Sequence, residues 1–261
     1  MLAADIAAAA EVLDQARLRR SQIEALPETC TPSDLAEGYA IQAALIGLRG
    51  SAIAGWKVGC ISKEAQMRAG TNEPFSGPIF EEDIVASGCV IRRDASSLRA
   101  LQAEFAFRLG RNLLAHEAPF TEEQICAAVA GVRAAIEIAD SRFLDWSVVG
   151  APNLIADAGK AGLMVLGERE LPYAEADLVS QDVTLSVNGR RVARGTGRNV
   201  MGNPLKSLHW LANSKAARQE SLLVGQLVSA GTCTGSYPAA PGDEVVATFG
   251  ALGNIEFHFE S

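Results

Sequence analysis

Leu101-Gln102-Ala103-Glu104-Phe105-Ala106-Phe107-Arg108-Leu109 reads as a strand with an apolar face and a face that carries chemistry. Side chains alternate across a strand, so Leu101, Ala103, Phe105, Phe107 and Leu109 share the core face. Gln102, Glu104, Ala106 and Arg108 share the other. Two residues apart on one face means Cα atoms about 6.5–7 Å apart, so Gln102 and Glu104 can converge on one ion. The same pattern also suits an ordinary strand with a polar, solvated outer face.

More strands flank this one. Ile53 to Val58 is a short apolar strand, Ile84 to Arg92 contains another, and Arg133 to Ala139 and Ala161 to Leu166 add two. Asp182 to Arg194 is the clearest hairpin, because Asn188-Gly189 suits a two-residue type I′ turn. Leu227 to Ala230, Glu244 to Phe249 and Asn254 to Phe259 complete the set.

Helices are fewer. Asp5 to about Ala25 places Ile6, Ala9, Leu13 and Ala16 on one stripe, with Pro27 beyond its end. Thr31 is the expected N-cap and Pro32 the first residue of a second helix, running to about Leu48 and stopping at Gly50. Ser62 to Ala69 forms a short helix, and Thr121 to Gln124 is a capping box that opens another to about Ala130. Pro204 to about Ala217 is the last. Strands dominate the second half, which predicts an α+β fold around a largely antiparallel or mixed sheet system. We expect a helical N-terminal lobe over residues 1–50 and a strand-rich core over residues 51–261, together one domain.

Composition narrows the function. With 48% hydrophobic and 21% charged residues, the chain is neither disordered nor fibrous. A net charge of −8 argues against a nucleic-acid partner. Arg17, Arg19 and Arg20, and the pairs Arg92-Arg93 and Arg190-Arg191, read as solvated faces. No apolar run reaches the roughly 18–20 residues that cross a bilayer, so no membrane association is expected. Met1 to Ala10 lacks a basic leader, and five scattered cysteines without a CxxC fit reduced thiols in the cytoplasm.

Three further places could carry chemistry. Glu137 is the only charge between Arg133 and Asp140, and a buried carboxylate needs a partner or a metal. With Glu104 on another strand and small alanines around both, an oxygen-ligated Mg²⁺ or Mn²⁺ would fit. Lys57, between Gly55 and Gly59, either snorkels to solvent or is a desolvated amine able to exchange protons. The Gly231-Thr232-Cys233-Thr234-Gly235 turn either is an ordinary loop or offers N–H groups and hydroxyls to a carboxylate. His116, His209 and His258 are too far apart for a histidine-ligated zinc.

Taken in order, Gly55-Trp56-Lys57-Val58-Gly59, Ala103-Glu104-Phe105-Ala106, Ile136-Glu137-Ile138 and Asp140-Ser141-Arg142 form a pattern. Ala156-Asp157, Gly202-Asn203-Pro204, Gly231 to Gly235 and Pro241-Gly242-Asp243 continue it. Together they resemble the 2-keto-4-pentenoate hydratase and 4-oxalocrotonate decarboxylase branch of the fumarylacetoacetate hydrolase superfamily. The resemblance implies a mixed β-sandwich or roll, a homo-oligomer, and a Mg²⁺ or Mn²⁺ site built from an ExE pair and a third Glu. Glu104 matches the second Glu of ExE, Glu137 the third, and Lys57 the active-site lysine. The Gly231 turn, with Thr232 and Thr234, matches the segment over the substrate carboxylate, and Asp157 and Lys160 lie in a substrate-pocket motif.

The chain departs from that pattern. Gln102 stands where the family has the first Glu of ExE, so the metal shell would be Gln102, Glu104 and Glu137, one charge short. Asn72 and Glu73 stand where many relatives have an Asp. Ala158, Lys160 and Ala161 replace an Asn and a pair of serines. The resemblance implies a metal-dependent lyase that hydrates a small 2-oxo or 2-hydroxy-dienoic acid of aromatic degradation, with Lys57, Glu104 and Glu137 in the catalytic set. Its alternatives are decarboxylation of a 2-oxo-3-enedioate and a degenerate relative that binds an oxo-acid without turnover.

Overall fold

A computed structural model describes all 261 residues. The lead segment forms α1 (Ala3–Leu18) and α2 (Leu35–Arg49). Next come β1 (Ile53–Gly59), α3 (Lys63–Ala69), β2 (Phe75–Phe80), β3 (Ile84–Ala86) and β4 (Val90–Ile91). The centre is β5 (Ala100–Leu109), α4 (Glu122–Ala128), β6 (Val129–Ala139), α5 (Gly150–Ala156) and β7 (Leu163–Pro172). The rest is β8 (Asp182–Val187), β9 (Arg190–Thr196), α6 (Pro204–Ala217), β10 (Leu227–Thr232), β11 (Tyr237–Pro238), β12 (Glu244–Thr248) and β13 (Asn254–Phe259).

These strands make two sheets, which gives the expected α+β class. The larger runs β2-β1-β10-β5-β6-β7-β3, with β11 also paired to β5, and the smaller runs β4-β13-β12-β8-β9. Both are mixed: β1 and β10, β3 and β7, and β4 and β13 run parallel, and the other pairs are antiparallel. The predicted core face of β5 packs toward the smaller sheet. Phe105 meets Phe249 edge-on at 5.8 Å, and Leu101, Phe107, Val183, Leu185 and Ile255 belong to the same buried cluster. Leu208 and Leu211 of α6 join that cluster.

Helices α1 and α2 pack on each other, and α2 packs on α5. They share a second core with Phe80, Phe143 and Ala161 from the strand-rich part. No helix is long and apolar enough to cross a membrane.

Several local expectations are corrected. Helix α1 stops at Leu18, not near Ala25, because the chain turns left-handed at Arg20 (φ 52°) and Ile23 N–H donates to Arg142 O instead. The N-cap of α2 is Asp34, not Thr31. Asp34 accepts from Glu37 N–H, and the Thr31 hydroxyl donates to Pro27 O. Ile84 to Arg92 is two strands, broken at Gly88 (φ 85°), and each half joins a different sheet. Strand β2 is an addition to the expected set, and Pro78 within it is tolerated because β2 is a sheet edge. Arg17 is not on a solvated face: it donates to Ala161 O at 2.7 Å and pairs with Asp83.

Candidate functional site

Register between the central strands assembles the site. In the antiparallel β5–β6 pair Gln102 lies opposite Glu137, and Glu104 opposite Ala135. Opposed residues share a face, so both carboxylates and the Gln102 amide project from one side of the sheet. Strand β10 brings Ser229 beside Lys57 of β1 and Thr232 beside Glu104. Four strands thus deliver Lys57, Ser229, Glu104 and Glu137 to one place.

Burial makes that place unusual. Glu104 and Glu137 are 0% and 1% exposed. Glu104 Oε2 accepts from Ser229 Oγ at 2.6 Å and from Gly231 N–H at 3.0 Å. Its other oxygen, Oε1, is buried with no hydrogen-bond partner, as is Oε1 of Glu137. Glu137 Oε2 lies 3.1 Å from the Lys57 ammonium, which also donates to Gly159 O at 3.1 Å. Burial first, and then the charge of Glu137, push the Glu104 carboxyl from 4.5 up to about 8. Burial likewise raises Glu137, against the pull of Lys57.

A cavity of about 540 Å³ opens beside this group, lined by Lys57, Gln102, Gly159, Lys160, Gly231 and Thr232 among others. The two carboxylates are not part of that lining; they are buried behind it, in contact with Lys57 and Gly231. Lys160 holds its ammonium 3.1 Å from the centre of the Trp146 ring, which also lines the cavity. Burial, and then the Lys57 charge, push the Lys160 amine from 10.5 down to about 8.

The remaining sequence candidates separate. Gly231 faces the site, but its N–H bonds Glu104 and is not offered to a ligand. Its φ of 99° and the Ile61 methyls 2.9 Å from where a Cβ would lie both require glycine there. Thr232 lines the cavity with its hydroxyl turned to Gly235 O, whereas Thr234 is not among the lining residues. Asp157 also lies outside the cavity. It is 1% exposed and accepts from Ser141 Oγ and Arg142 N–H, so it braces the turn after β6. Glu73 lines a different, surface groove with Tyr39 and Trp210. Sequence reasoning missed Ser229 and Trp146. Ser229 carried a faint signal, a lone hydroxyl in the apolar run Leu227 to Ala230; Trp146 had none, because its loop has no periodicity.

The family model for the fumarylacetoacetate (FAA) hydrolase C-terminal region matches residues 63–260. The chain belongs to the fumarylacetoacetate hydrolase family. Relatives include a 2-keto-4-pentenoate hydratase of Paraburkholderia xenovorans (strain LB400), 29% identical over 256 residues, covering 97% of this chain and 94% of that one. A 2-hydroxyhexa-2,4-dienoate hydratase of Comamonas testosteroni is 28% identical, covering 85% of each. Among solved structures, 4-oxalocrotonate decarboxylase from Pseudomonas putida G7, complexed with magnesium and adipate, superposes with a TM-score of 0.93. The two are 26% identical, over 99% of this chain and 98% of that one. The same decarboxylase was also solved with calcium and acetate, at a TM-score of 0.91.

Within this fumarylacetoacetate hydrolase fold, the donors suit a divalent cation. Two buried carboxylates with partnerless oxygens need positive charge, and oxygen ligands fit a hard cation. The set is lean: the chain contains no cluster of three or more His, Cys, Asp or Glu side chains placed to hold a metal. Gln102, opposite Glu137 across the β5–β6 pair, adds an amide carbonyl and no charge to this face.

The raised Glu104 carboxyl gives a pH signature. A group whose folded value lies above its unfolded one adds stability below the unfolded value, and that stability is lost as pH rises through the folded one. For Glu104 the window runs from about 4.5 to about 8. Metal-free protein should therefore melt at progressively lower temperature across this window, and Glu104→Gln should flatten the slope. Thermal melts of both at pH 5 to 8.5 check this; identical slopes would refute it.

Proposed function

We propose that this chain is a divalent-metal-dependent hydro-lyase, acting on a small 2-oxo or 2-hydroxy-dienoic acid of the kind formed in aromatic degradation. The observation that carries this reading is the pair of buried carboxylates, each with a partnerless oxygen, directly behind Lys57, which lines the cavity. Kinship to hydratases at 29% identity over nearly the whole chain supports it. Mg²⁺ or Mn²⁺ is the cation, held by Gln102, Glu104 and Glu137. When bound, it supplies a Lewis acid that stabilises negative charge on the oxygens of the oxo-acid.

The chain's own residues do the rest. Ser229 Oγ and Gly231 N–H fix Glu104 Oε2, leaving Oε1 without a hydrogen-bond partner. Lys57, held between Glu137 and Gly159 O, is placed to pass a proton to or from a carbon of the acid as water adds across its distal double bond. Thr232 and Lys160 line the cavity where the acid enters. A homo-oligomer in the cytoplasm belongs to the same proposal, and five free thiols agree with a reducing compartment. A second reading, decarboxylation of a 2-oxo-3-enedioate, is favoured by the 0.93 superposition on a decarboxylase.

Titration of Mn²⁺ into purified protein, with the ultraviolet absorbance of 2-hydroxypenta-2,4-dienoate as the assay, separates the readings. Wild type should bind metal and consume the dienoate; Glu137→Gln should do neither well. Gln102→Glu adds a full charge about 4 Å from a divalent ion, worth on the order of 8 kcal/mol at an effective dielectric of 20 before its own desolvation. We expect it to tighten Mn²⁺ by about tenfold or more. No metal binding and no turnover in wild type would sink the lyase. Turnover only in Gln102→Glu would mark an oxo-acid-binding relative without activity.

A further inference from the structure

Lys160 is the one ammonium at this cavity that the protein leaves without an acceptor. Lys57, beside it, is engaged by Glu137 Oε2 and Gly159 O. Lys160 has no carboxylate within 4.0 Å and no hydrogen-bond acceptor; its ammonium meets only the face of Trp146. An ammonium carries three donors, and a ring face replaces their hydration only in part. Such a group, half-buried in the wall of a cavity, is built to receive an anion.

Its backbone is also held in place. Ala158, Gly159 and Lys160 are three successive residues at positive φ (53°, 65° and 63°). Lys160 N–H donates to Asp157 O, and its carbonyl accepts from Asp140 N–H. The side chain therefore leaves a fixed turn and reaches the Trp146 wall, while the two carboxylates are buried behind Lys57 and Gly231. At this cavity the rim pair Glu64 and Arg68 cancels, two buried carboxylates, Glu104 and Glu137, meet two ammoniums, Lys57 and Lys160, and the third expected acid is the neutral Gln102. The formal sum is zero, so the protein alone offers a dication no net attraction.

We propose that the Lys160 ammonium makes this cavity a carboxylate site that fills without metal, and that the cation follows the oxo-acid. The proposal rests on the oxo-acid reading above. The bound carboxylate supplies the negative charge that Gln102 does not, so each ligand tightens the other by the same factor.

The test uses EDTA-stripped protein and pyruvate, followed by titration calorimetry, for wild type, Lys160→Met, Lys160→Gln and Lys160→Arg. Wild type and Lys160→Arg should bind. Lys160→Met and Lys160→Gln, checked for folding by circular dichroism, should weaken binding by about tenfold or more, the worth of a charged hydrogen bond. Mn²⁺ followed by electron paramagnetic resonance should bind wild type weakly alone and about tenfold or more tightly with oxalate. In Lys160→Met that gain should shrink and Mn²⁺ alone should bind better. Equal pyruvate binding in wild type and Lys160→Met, or binding that requires Mn²⁺, would overturn the proposal. Lys160-dependent pyruvate binding without dienoate turnover would keep it and sink the lyase; turnover with Lys160-indifferent binding would do the reverse.

Discussion

Lys57→Met should lower kcat/KM by about 10²–10⁴-fold, the usual worth of a positioned proton-transfer group. Methionine keeps the length and packing of the side chain, so the change isolates the ammonium. That ammonium sits 3.1 Å from Glu137 Oε2 in a place 4% exposed to solvent. Removing it leaves Glu137 buried without its cation, and breaking a buried pair this way costs about 3–5 kcal/mol when the survivor stays charged. Glu137 can instead take up a proton, so the measured loss should fall below that range. The distinguishing readout is metal. With one positive charge gone from beside Glu137, Mn²⁺ should bind at least as tightly as in wild type while turnover collapses. A structural role alone would lower the unfolding midpoint and leave turnover intact at temperatures well below it. Turnover within threefold of wild type would remove Lys57 from the proton path.

The second large effect is expected at a residue that has no side chain of its own. Gly77 lies on edge strand β2 directly opposite Lys57, and a Cβ there would sit 1.8 Å from Ala158 O. The atom it meets is backbone, so no side chain can swing away. Gly77→Ala must push off the turn Ala158–Lys160, which carries the Gly159 oxygen that Lys57 uses and the Lys160 ammonium itself. Overpacking of this kind costs about 1–3 kcal/mol. A displacement near 1 Å of positioned groups costs about 10²-fold in rate. Both should appear together, in urea unfolding and in steady-state kinetics. Gly47→Ala is the control: it sits in α2 with nothing within 4 Å of the added Cβ, and should stabilise by about 0.4–1 kcal/mol. A Gly77→Ala protein as stable and active as wild type would show that the turn is free to move.

Much of the fold was legible because its signals are local. The period-two pattern of β5 is set by neighbouring residues, as are the capping box at Thr121 and the Asn188-Gly189 turn. Both turn residues adopt the positive φ that a type I′ turn needs, 51° and 74°. Where two local signals competed, as at Thr31 and Asp34, spacing alone chose the wrong cap, since the hydroxyl of Thr31 had a nearer acceptor.

The acidic pair was likewise visible, as carboxylates inside apolar strand sequences. Whether that face met water or protein was not. Alternation tells which side chains share a face, and only the packing of other strands and loops decides what covers it. The partners of Glu104 are Ser229 and Gly231, 125 and 127 residues further along the chain, and they arrive through the β5–β10 register. Asp157 stood in a pocket motif, yet its oxygens brace Ser141 and Arg142 outside the cavity. Lys160 looked like one residue of that motif, and only the folded chain places its ammonium against Trp146 with no acceptor. The sequence by itself determined the elements, the acidic pair and the missing charge at Gln102, because each depends on residue type and short spacing. The tertiary structure alone decided burial, pairing and which cations face the cavity, because those follow from contacts between separate strands and loops that no local spacing encodes.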